Sequence, residues 1–358
     1  MKRSLILTAI VLAAFLAACT DAVDPDQVED VVVLTRNVYV GTDVDQILLA
    51  ETPEQLLIRV EAAWQQLVAT DFAERAEALA DEIMDAEPHL VGLQEITTFR
   101  TQSPGDAIVG GTVPAEDVAW DFLEILMAEL AERGLDYEVA GLIQDTDVEL
   151  PRANATFDDV RMTDYDVVLV RGDVSYSNVE TANYTISLPV PTPDGGTLHL
   201  LRGWIALDAR IGEQTYRFVN THLEPADFTD QVQLAELAEL LILLSDETRP
   251  TILVGDLNSP ADGSGTPTYQ TLADNGFVDA WILGGAEGEA GMTCCHALDL
   301  RNDAVNLTQR IDFILVRNVE PVEVEAWVVG DELGDRTSSG MWPSDHAGVV
   351  ARLTFEER

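Results

Sequence analysis

Apolar and polar positions alternate along the chain in blocks that read as a mixed succession of strands and helices. VVVLTRNVYV, from Val31 to Val40, is β-branched and apolar and predicts a buried strand. Thr52-Pro53-Glu54 then predicts a helix start, with Thr as N-cap and Pro at the first helical position. Leu56, Leu57, Val60, Trp64 and Leu67 follow at helical spacing, and a second helix opens near Asp71 with Phe72, Ala76, Leu79 and Ile83 on one face. HLVGLQEI (His89 to Ile96) predicts a strand, and an amphipathic helix is expected over Asp117 to Glu132. From Tyr137 to Leu223 the pattern is mostly strand. DYDVVLVRGDV and TLHLLRGWIAL are its long runs, and Pro191 to Gly196 is a turn. A helix is expected from about Asp230 to Leu244, and PTILVGDLN is a strand that ends in a turn. Strands recur at Arg310 to Arg317, Val322 to Val329 and Ala347 to Phe355. No repeat or linker interrupts the pattern, so it predicts one α/β domain of two packed sheets covered by helices.

The first residues stand apart. A short basic start, Met1-Lys2-Arg3, precedes LILTAIVLAAFLAA, an apolar run shorter than the roughly 20 residues of a spanning helix. This predicts an export signal. It ends at Leu16-Ala17-Ala18-Cys19, which resembles the lipobox of bacterial lipoproteins. The expectation is a signal peptide over 1–18, lipid on Cys19, an acidic tether over 19–30 and a folded domain over 31–358. The protein would then be extracytoplasmic and anchored to a bacterial membrane, with secretion as the alternative.

Composition narrows the function. At 358 residues and 47% hydrophobic the chain can bury a large core. Its net charge is −44, and Lys2 is the only lysine. Such a surface repels polyanions and excludes nucleic-acid binding through a broad basic groove. The charge matches salt adaptation, or an arginine-favouring genome. Cys294 and Cys295 are adjacent, closer than the usual disulfide window. They are expected as buried or loop thiols. A vicinal disulfide comes second, and a zinc site with His296 third.

The polar residues that matter fall where apolar runs stop. Asn37 lies in LTRNVYV, Glu95 in LVGLQEI and His222 in FVNTHLEP. Asp256 and Asn258 lie in ILVGDLNSP, Asp312 interrupts RIDFILV, and Asp345-His346 precede the last strand. Each alone fits a turn or a cap. Asp312 is the exception, because a carboxylate inside a buried strand needs a partner. Together they mark one edge of a sheet, where α/β folds assemble sites.

In this order the motifs N, QE, TH, GDLN, RIDF and SDH resemble the endonuclease/exonuclease/phosphatase family, across Val31 to Phe355. LTRNVYVG, RMTDYDVVLVR and TCCHALDL further resemble a bacterial secreted branch of it. The resemblance implies a deoxyribonuclease I-like fold, a four-layer α/β sandwich of two packed mixed β-sheets flanked by helices. It also implies a metal-dependent phosphodiesterase. Glu95 and Asn37, with Asp345, would hold Mg²⁺ (Mn²⁺ or Ca²⁺ as alternatives), the cation suited to hard oxygen donors. Asp256 would orient or deprotonate water. Asn258 and His222 would contact the phosphate, with Arg202 as a further phosphate contact. His346 would act as acid or base, oriented by Asp312. Tyr165 and Asp166 fall in a region where relatives place site residues.

The substrate is left open between nucleic acid, placed first, and a phospholipid or sphingomyelin headgroup. The Trp-Cys-Asp-Arg block of inositol phosphatases is not present. Met341-Trp342 reads either as a packed loop or as an apolar tip that dips into lipid. A catalytically silent lipoprotein that only binds is the reading from another class. No protein partner is implied.

Overall fold

Val31 and Val33 point to one side of their strand and Val32 and Leu34 to the other, and all four are buried. A strand buried on both faces lies inside a layered structure, with something apolar above and below. The computed structural model describes residues 28–192, 195–226 and 229–356. In chain order its elements are β1 (Val28–Asn37), α1 (Asp45–Leu48), α2 (Pro53–Ala69), α3 (Phe72–Ala86), β2 (Leu90–Gln102), β3 (Asp117–Asp121), α4 (Phe122–Glu132), β4 (Tyr137–Pro151), β5 (Asp159–Arg171) and β6 (Ser175–Asn183). There follow β7 (Leu188–Pro191), β8 (Thr197–Leu200), β9 (Gly203–Ile211), β10 (Gln214–His222), α5 (Asp230–Leu243), β11 (Thr251–Asp256), α6 (Thr268–Asp274), β12 (Val278–Asp279), α7 (Ala280–Gly284), β13 (Asp312–Arg317), β14 (Glu323–Val329) and β15 (Gly348–Glu356).

One sheet runs β14-β15-β1-β2-β5-β4, with β3 added to β2; the other runs β12-β13-β11-β10-β9-β6. β1 lies parallel to β2 and β10 to β11, while the remaining pairs are antiparallel, so both sheets are mixed. Val31, Val33, Leu90 and Val168 of the first sheet meet Leu207, Phe218, Ile252 and Ile314 of the second in a dry inter-sheet core. The opposite face of the first sheet packs on Leu67, Leu79, Ile83 and Phe122 of α2–α4. The opposite face of the second packs on Leu237 and Leu240 of α5 and Leu272 of α6. The result is the expected four-layer α/β sandwich. Each fully buried Val, Leu, Ile or Phe contributes roughly 1.5–3 kcal/mol to it.

Gly92 allows the sheets to close up near the site. A Cβ there would come within 2.5 Å of Val254 and 2.7 Å of the Asn220 amide oxygen. Through that gap Asn220 donates to the carbonyls of Leu93 and Val167, each at 3.1 Å, and accepts from Gln94 Nε2 at 2.7 Å. The two sheets are therefore pinned by a satisfied polar residue as well as by apolar area.

Three boundaries differ from the sequence pattern. β1 begins at Val28, so the last residues of the expected tether are strand. The signal segment, Cys19 and the rest of the tether lie outside the described residues, as do Pro193 and Asp194 of the expected turn. The helix expected from Asp117 starts only at Phe122. Asp117–Asp121 pairs with Thr98–Thr101 of β2, and the Asp121 carboxylate caps the helix by accepting from Glu124 N–H at 3.0 Å. TLHLLRGWIAL also breaks in two, into β8 and β9, with Arg202 at the break. No helix of the described residues is long and apolar enough to cross a membrane.

Candidate functional site

Strand register gathers the polar residues at one end of both sheets. His222 ends β10 opposite Asp256, which ends β11, and Asp256 in turn faces Asp312 at the start of β13. Asn37 ends β1 opposite Gln94, and Glu95 follows at a bulge where β2 slips against β5. Glu95 has φ 60°, so the bulge re-aims its side chain out of the normal pleat. Gly255 makes the last turn of β11 feasible: its φ is 144°, and a Cβ would stand 1.8 Å from the Thr221 carbonyl oxygen.

The groups are hydrogen-bonded into one network. Asn37 Nδ2 donates to Glu95 Oε1 at 2.9 Å and to Asp256 Oδ2 at 3.2 Å, so one amide links the two acids. Glu95 Oε2 accepts from Val40 N–H at 2.7 Å. Asp256 Oδ1 accepts from Asn258 N–H at 2.9 Å. His346 Nδ1 lies 2.9 Å from Asp312 Oδ2 and 3.8 Å from Asp256 Oδ2. His222 Nε2 lies 3.2 Å from Asn258 Nδ2 and 3.7 Å from Asp256 Oδ2.

The two imidazoles are pushed in opposite directions. Burial opposes a charge on His346, but Asp312, Asp256 and Asp345 outweigh it and hold its pKa well above the ordinary value. His346 is therefore a cation whose Nδ1–H is held by Asp312, which leaves Nε2–H as its other donor. Burial pushes the His222 pKa well down, and the cations Arg202 and His346 add to that. His222 is neutral. Arg202 NH1 sits 3.0 Å from its Nδ1 and can only donate, so the imidazole proton belongs on Nε2, where Asp256 Oδ2 at 3.7 Å is the acceptor. Burial, then Asp312, raise Asp256 to about 7.

Glu95 and Asp345, the two acids expected to hold a cation, influence one another electrostatically. Burial and Glu95 lift Asp345 to about 6, against the pull of His346 and Arg75. Glu95 and Asp345 are hard carboxylate donors, the kind Mg²⁺ shares with its waters, whereas Asn37 turns its amide nitrogen to Glu95 and its Oδ1 accepts from Tyr39 N–H at 2.9 Å, which corrects its expected place among the cation ligands. Asp256, Asp312 and His346 form a second close group, with donor atoms within 4.8 Å of one another. Its shared hydrogen bond suits proton handling better than ligation.

Arg202 is not the open phosphate contact the sequence suggested. Its Nε donates to Glu224 Oε2 at 2.9 Å, and NH1 serves His222 and lies 3.9 Å from Asp164. It orients His222 from behind. Gln233 of α5 extends this support by donating to the carbonyls of Glu224 and Asn258, which ties together the loops after β10 and β11.

Arg75 and Asp145 gave no warning in the sequence, whereas Asp166 lies where the resemblance placed site residues. Arg75 of α3 is fully buried and donates to the carbonyls of Thr70, Val38, Tyr39 and Pro343. Asp145, at a bulge in β4, and Asp166 of β5 are both fully buried, and none of their four carboxylate oxygens has a hydrogen-bond partner. Burial first, then neighbouring acids, raise both pKa values well above the ordinary range. A carboxyl whose folded pKa lies above its unfolded value of roughly 3.9 costs nothing below that value. The cost grows as pH rises through the interval up to the folded pKa. Asp166→Asn is therefore expected to stabilise the fold at pH 8, by about 1–3 kcal/mol, and by less at pH 5. Urea unfolding at the two pH values tests this, and an equal effect at both would defeat the electrostatic account.

The TCCH stretch buttresses the Asp345-His346 turn. Thr293 Oγ1 accepts from the N–H groups of Ile311 and Asp312, and Thr293 O accepts from Ala347 N–H at 2.7 Å. His296 N–H donates to Asp345 O at 2.7 Å. The Cys294 and Cys295 sulfurs are paired as a vicinal disulfide, the second of the expectations for them, in place of free thiols. Trp342 is fully buried, stacked on His296 at 3.9 Å between ring centroids, with Nε1 donating to Asn302 O. It is a packed core residue and not a tip for lipid.

Residues 64–346 match the family described as Endonuclease/Exonuclease/phosphatase family. No curated protein matches the chain in sequence. Among solved structures, it is similar to an endonuclease/exonuclease/phosphatase family protein from Leptotrichia buccalis, with 15% identity and a TM-score of 0.55. That match covers 90% of this chain and 99% of the other. Truncated TDP2 from Caenorhabditis elegans is similar at 16% identity, TM-score 0.51, covering 90% and 97%. TDP2 from D. rerio, complexed with a single-strand DNA product, is similar at 14% identity, TM-score 0.53, covering 90% and 98%.

Proposed function

Because the chain belongs to the endonuclease/exonuclease/phosphatase family, we propose that it is a divalent-cation-dependent phosphodiesterase. One observation carries this reading. A buried acid near neutral pKa, a carboxylate-held imidazolium and a neutral imidazole converge beside a hard-oxygen cation site.

A phosphodiester placed here meets donors on two sides. Nε2–H of His222 and Nε2–H of His346 face its oxygens, and the Asn258 amide adds a third donor. These stabilise the charge that builds on the phosphoryl oxygens and on the leaving oxygen. Asp256 takes the proton as a water oxygen bonds to phosphorus and the ester P–O bond breaks. A base with a pKa of about 7 is matched to that task near neutral pH. A cation held by Glu95 and Asp345, with Asn37 fixing the Glu95 carboxylate, would supply charge neutralisation at the phosphate. Asp312 and Arg202 act through the two imidazoles, by fixing which nitrogen carries the proton.

The purified protein is expected to hydrolyse bis-nitrophenyl phosphate with Mg²⁺, to stop with EDTA and to recover on Mg²⁺ addition, with Mn²⁺ and Ca²⁺ compared. Glu95→Gln should cost about 10²-fold in kcat. Full activity in EDTA together with an indifferent Glu95→Gln would refute cation dependence, and no hydrolysis at all would favour a silent binding protein. Residues 1–30 support attachment through lipid on Cys19 to the outer side of a bacterial membrane. Globomycin-sensitive processing and loss of the anchor in Cys19→Ser test that placement.

Nucleic acid stays in view because D. rerio TDP2 binds a DNA product with a similar fold. The charge of −44 weighs against a long polyanion, except at high ionic strength. A shorter phosphodiester that is not a polyanion meets no such opposition.

A further inference from the structure

Beside the catalytic acids lies a cavity of about 150 Å³ whose wall includes Glu95, Asp164 and Arg202. The rest of the wall is almost wholly apolar, built by Val60, Ala63, Trp64 and Leu67 of α2 together with residues of β4, β5 and β8 such as Val148 and Met162. Its two threonines are engaged, Thr146 with the backbone of Leu201 and Thr42 with Gln66. A neighbouring cavity of about 390 Å³ shares Ile47, Leu48, Val148, Leu150 and Leu198 with the first and adds Leu56 and Val190 along with Asp147, Glu149 and Thr197, so the space continues, with a more mixed wall, between α1 and the β7–β8 hairpin. Ile47 and Leu48 are only half-buried at this passage.

We propose that this space receives a linear alkyl chain of the substrate, so that the enzyme selects amphiphilic phosphodiesters with one chain seated between α1, α2 and β8. The inference rests on the phosphodiesterase reading and names its substrate class. The phosphate is drawn to His222, Asn258 and His346, and an attached chain extends past Glu95 and Arg202 into the aliphatic wall. A nucleobase in the same place would leave most of its ring donors and acceptors unpaired, because away from Glu95, Asp164 and Arg202 the wall is apolar and its threonines are engaged. The continuation into a second cavity suits an extended chain, whereas a compact aryl group would fill only the first.

The test is an alkyl series of p-nitrophenyl phosphodiesters, from methyl to decyl, hydrolysed by the intact protein with Mg²⁺ below the aggregation limit of each ester. Water adds to phosphorus, nitrophenolate leaves, and the alkyl phosphate remains. kcat/KM should climb about threefold to fourfold per methylene and then level off as the chain outgrows the cavity. Ala63→Trp, which fills the cavity, should flatten the climb and leave the methyl ester within twofold. Leu48→Gln, at the half-buried passage, keeps the inference testable if Ala63→Trp fails to fold. It should lower kcat/KM only for the longer esters. Calorimetry with octyl phosphate against ethyl phosphate gives a readout without turnover, and octyl should bind at least tenfold more tightly. A flat series with the methyl ester still cleaved, and equal binding of the two phosphates, would overturn the alkyl site alone. Chain-dependent binding with no ester cleaved would support the alkyl site and sink the phosphodiesterase reading.

Discussion

Asp256→Asn lowers kcat on bis-nitrophenyl phosphate by about 10³–10⁴-fold, the upper part of the range for loss of a positioned proton acceptor. The amide keeps the shape of the side chain and its one oxygen can still accept from Asn258 N–H, so the loop after β11 stays in place, while the nitrogen that replaces Oδ2 no longer accepts from Asn37. The proton acceptor is what disappears. Thermal stability should hold or rise, because a buried carboxylate lifted to about 7 by its surroundings is removed. His346→Ala is expected to fall within a factor of ten of the same loss. Adding Asp312→Asn to it should cost little more, since Asp312 acts through that imidazole. A loss under tenfold in Asp256→Asn, at unchanged KM, would remove Asp256 from the chemistry. Additive losses in the double variant would separate Asp312 from His346.

The second large effect is on stability. Arg75→Met is expected to destabilise the protein by about 3–5 kcal/mol, the cost of breaking a buried charged group away from its partners. Burial lowers the Arg75 pKa to about 10, which still leaves it charged at neutral pH. Its guanidinium has no carboxylate bonded to it. It is held instead by four carbonyls and lies over the Phe72 ring at 4.8 Å. Two of those carbonyls, Val38 and Tyr39, follow Asn37, and a third, Pro343, precedes Asp345. Methionine fills the space and leaves the carbonyls unpaired, each at a cost of about 1–3 kcal/mol. Urea unfolding measures the loss, and a change below 1 kcal/mol would show that water replaces the guanidinium. Where the variant folds, kcat on bis-nitrophenyl phosphate should fall as well, because both cation-side loops lose their anchor.

The layered fold was readable in the chain because burial on both faces of a strand leaves an unbroken local run, as at Val31 to Leu34. The site residues were readable for a related reason. A polar residue at a strand end breaks its apolar run, and Asn37, Glu95, His222, Asp256 and Asp312 each mark such a break. Helix boundaries were less secure. Asp117–Asp121 has the composition of a helix start, and only pairing with β2 makes it a strand.

What the sequence determined by itself is therefore the α/β class, the cluster of acids, amides and imidazoles, and the family they resemble. Tertiary structure alone decided how those groups are used. Arg202 was written as a phosphate contact, and it became the donor behind His222 because Glu224 and the break before β9 turn it there. Trp342 was written as an apolar residue near a catalytic turn, and stacking on His296 made it core. Arg75 and Asp145 look like ordinary solvent-facing charges in their local windows. Their burial comes from elements brought together across the fold, and no local period records it. The apolar space beside Glu95 has the same origin. It is bounded by α1, α2, β4, β5 and β8, and each contributes residues that in sequence read simply as core. A residue's own pattern shows whether it leaves water, but what it meets there depends on neighbours distant in the chain.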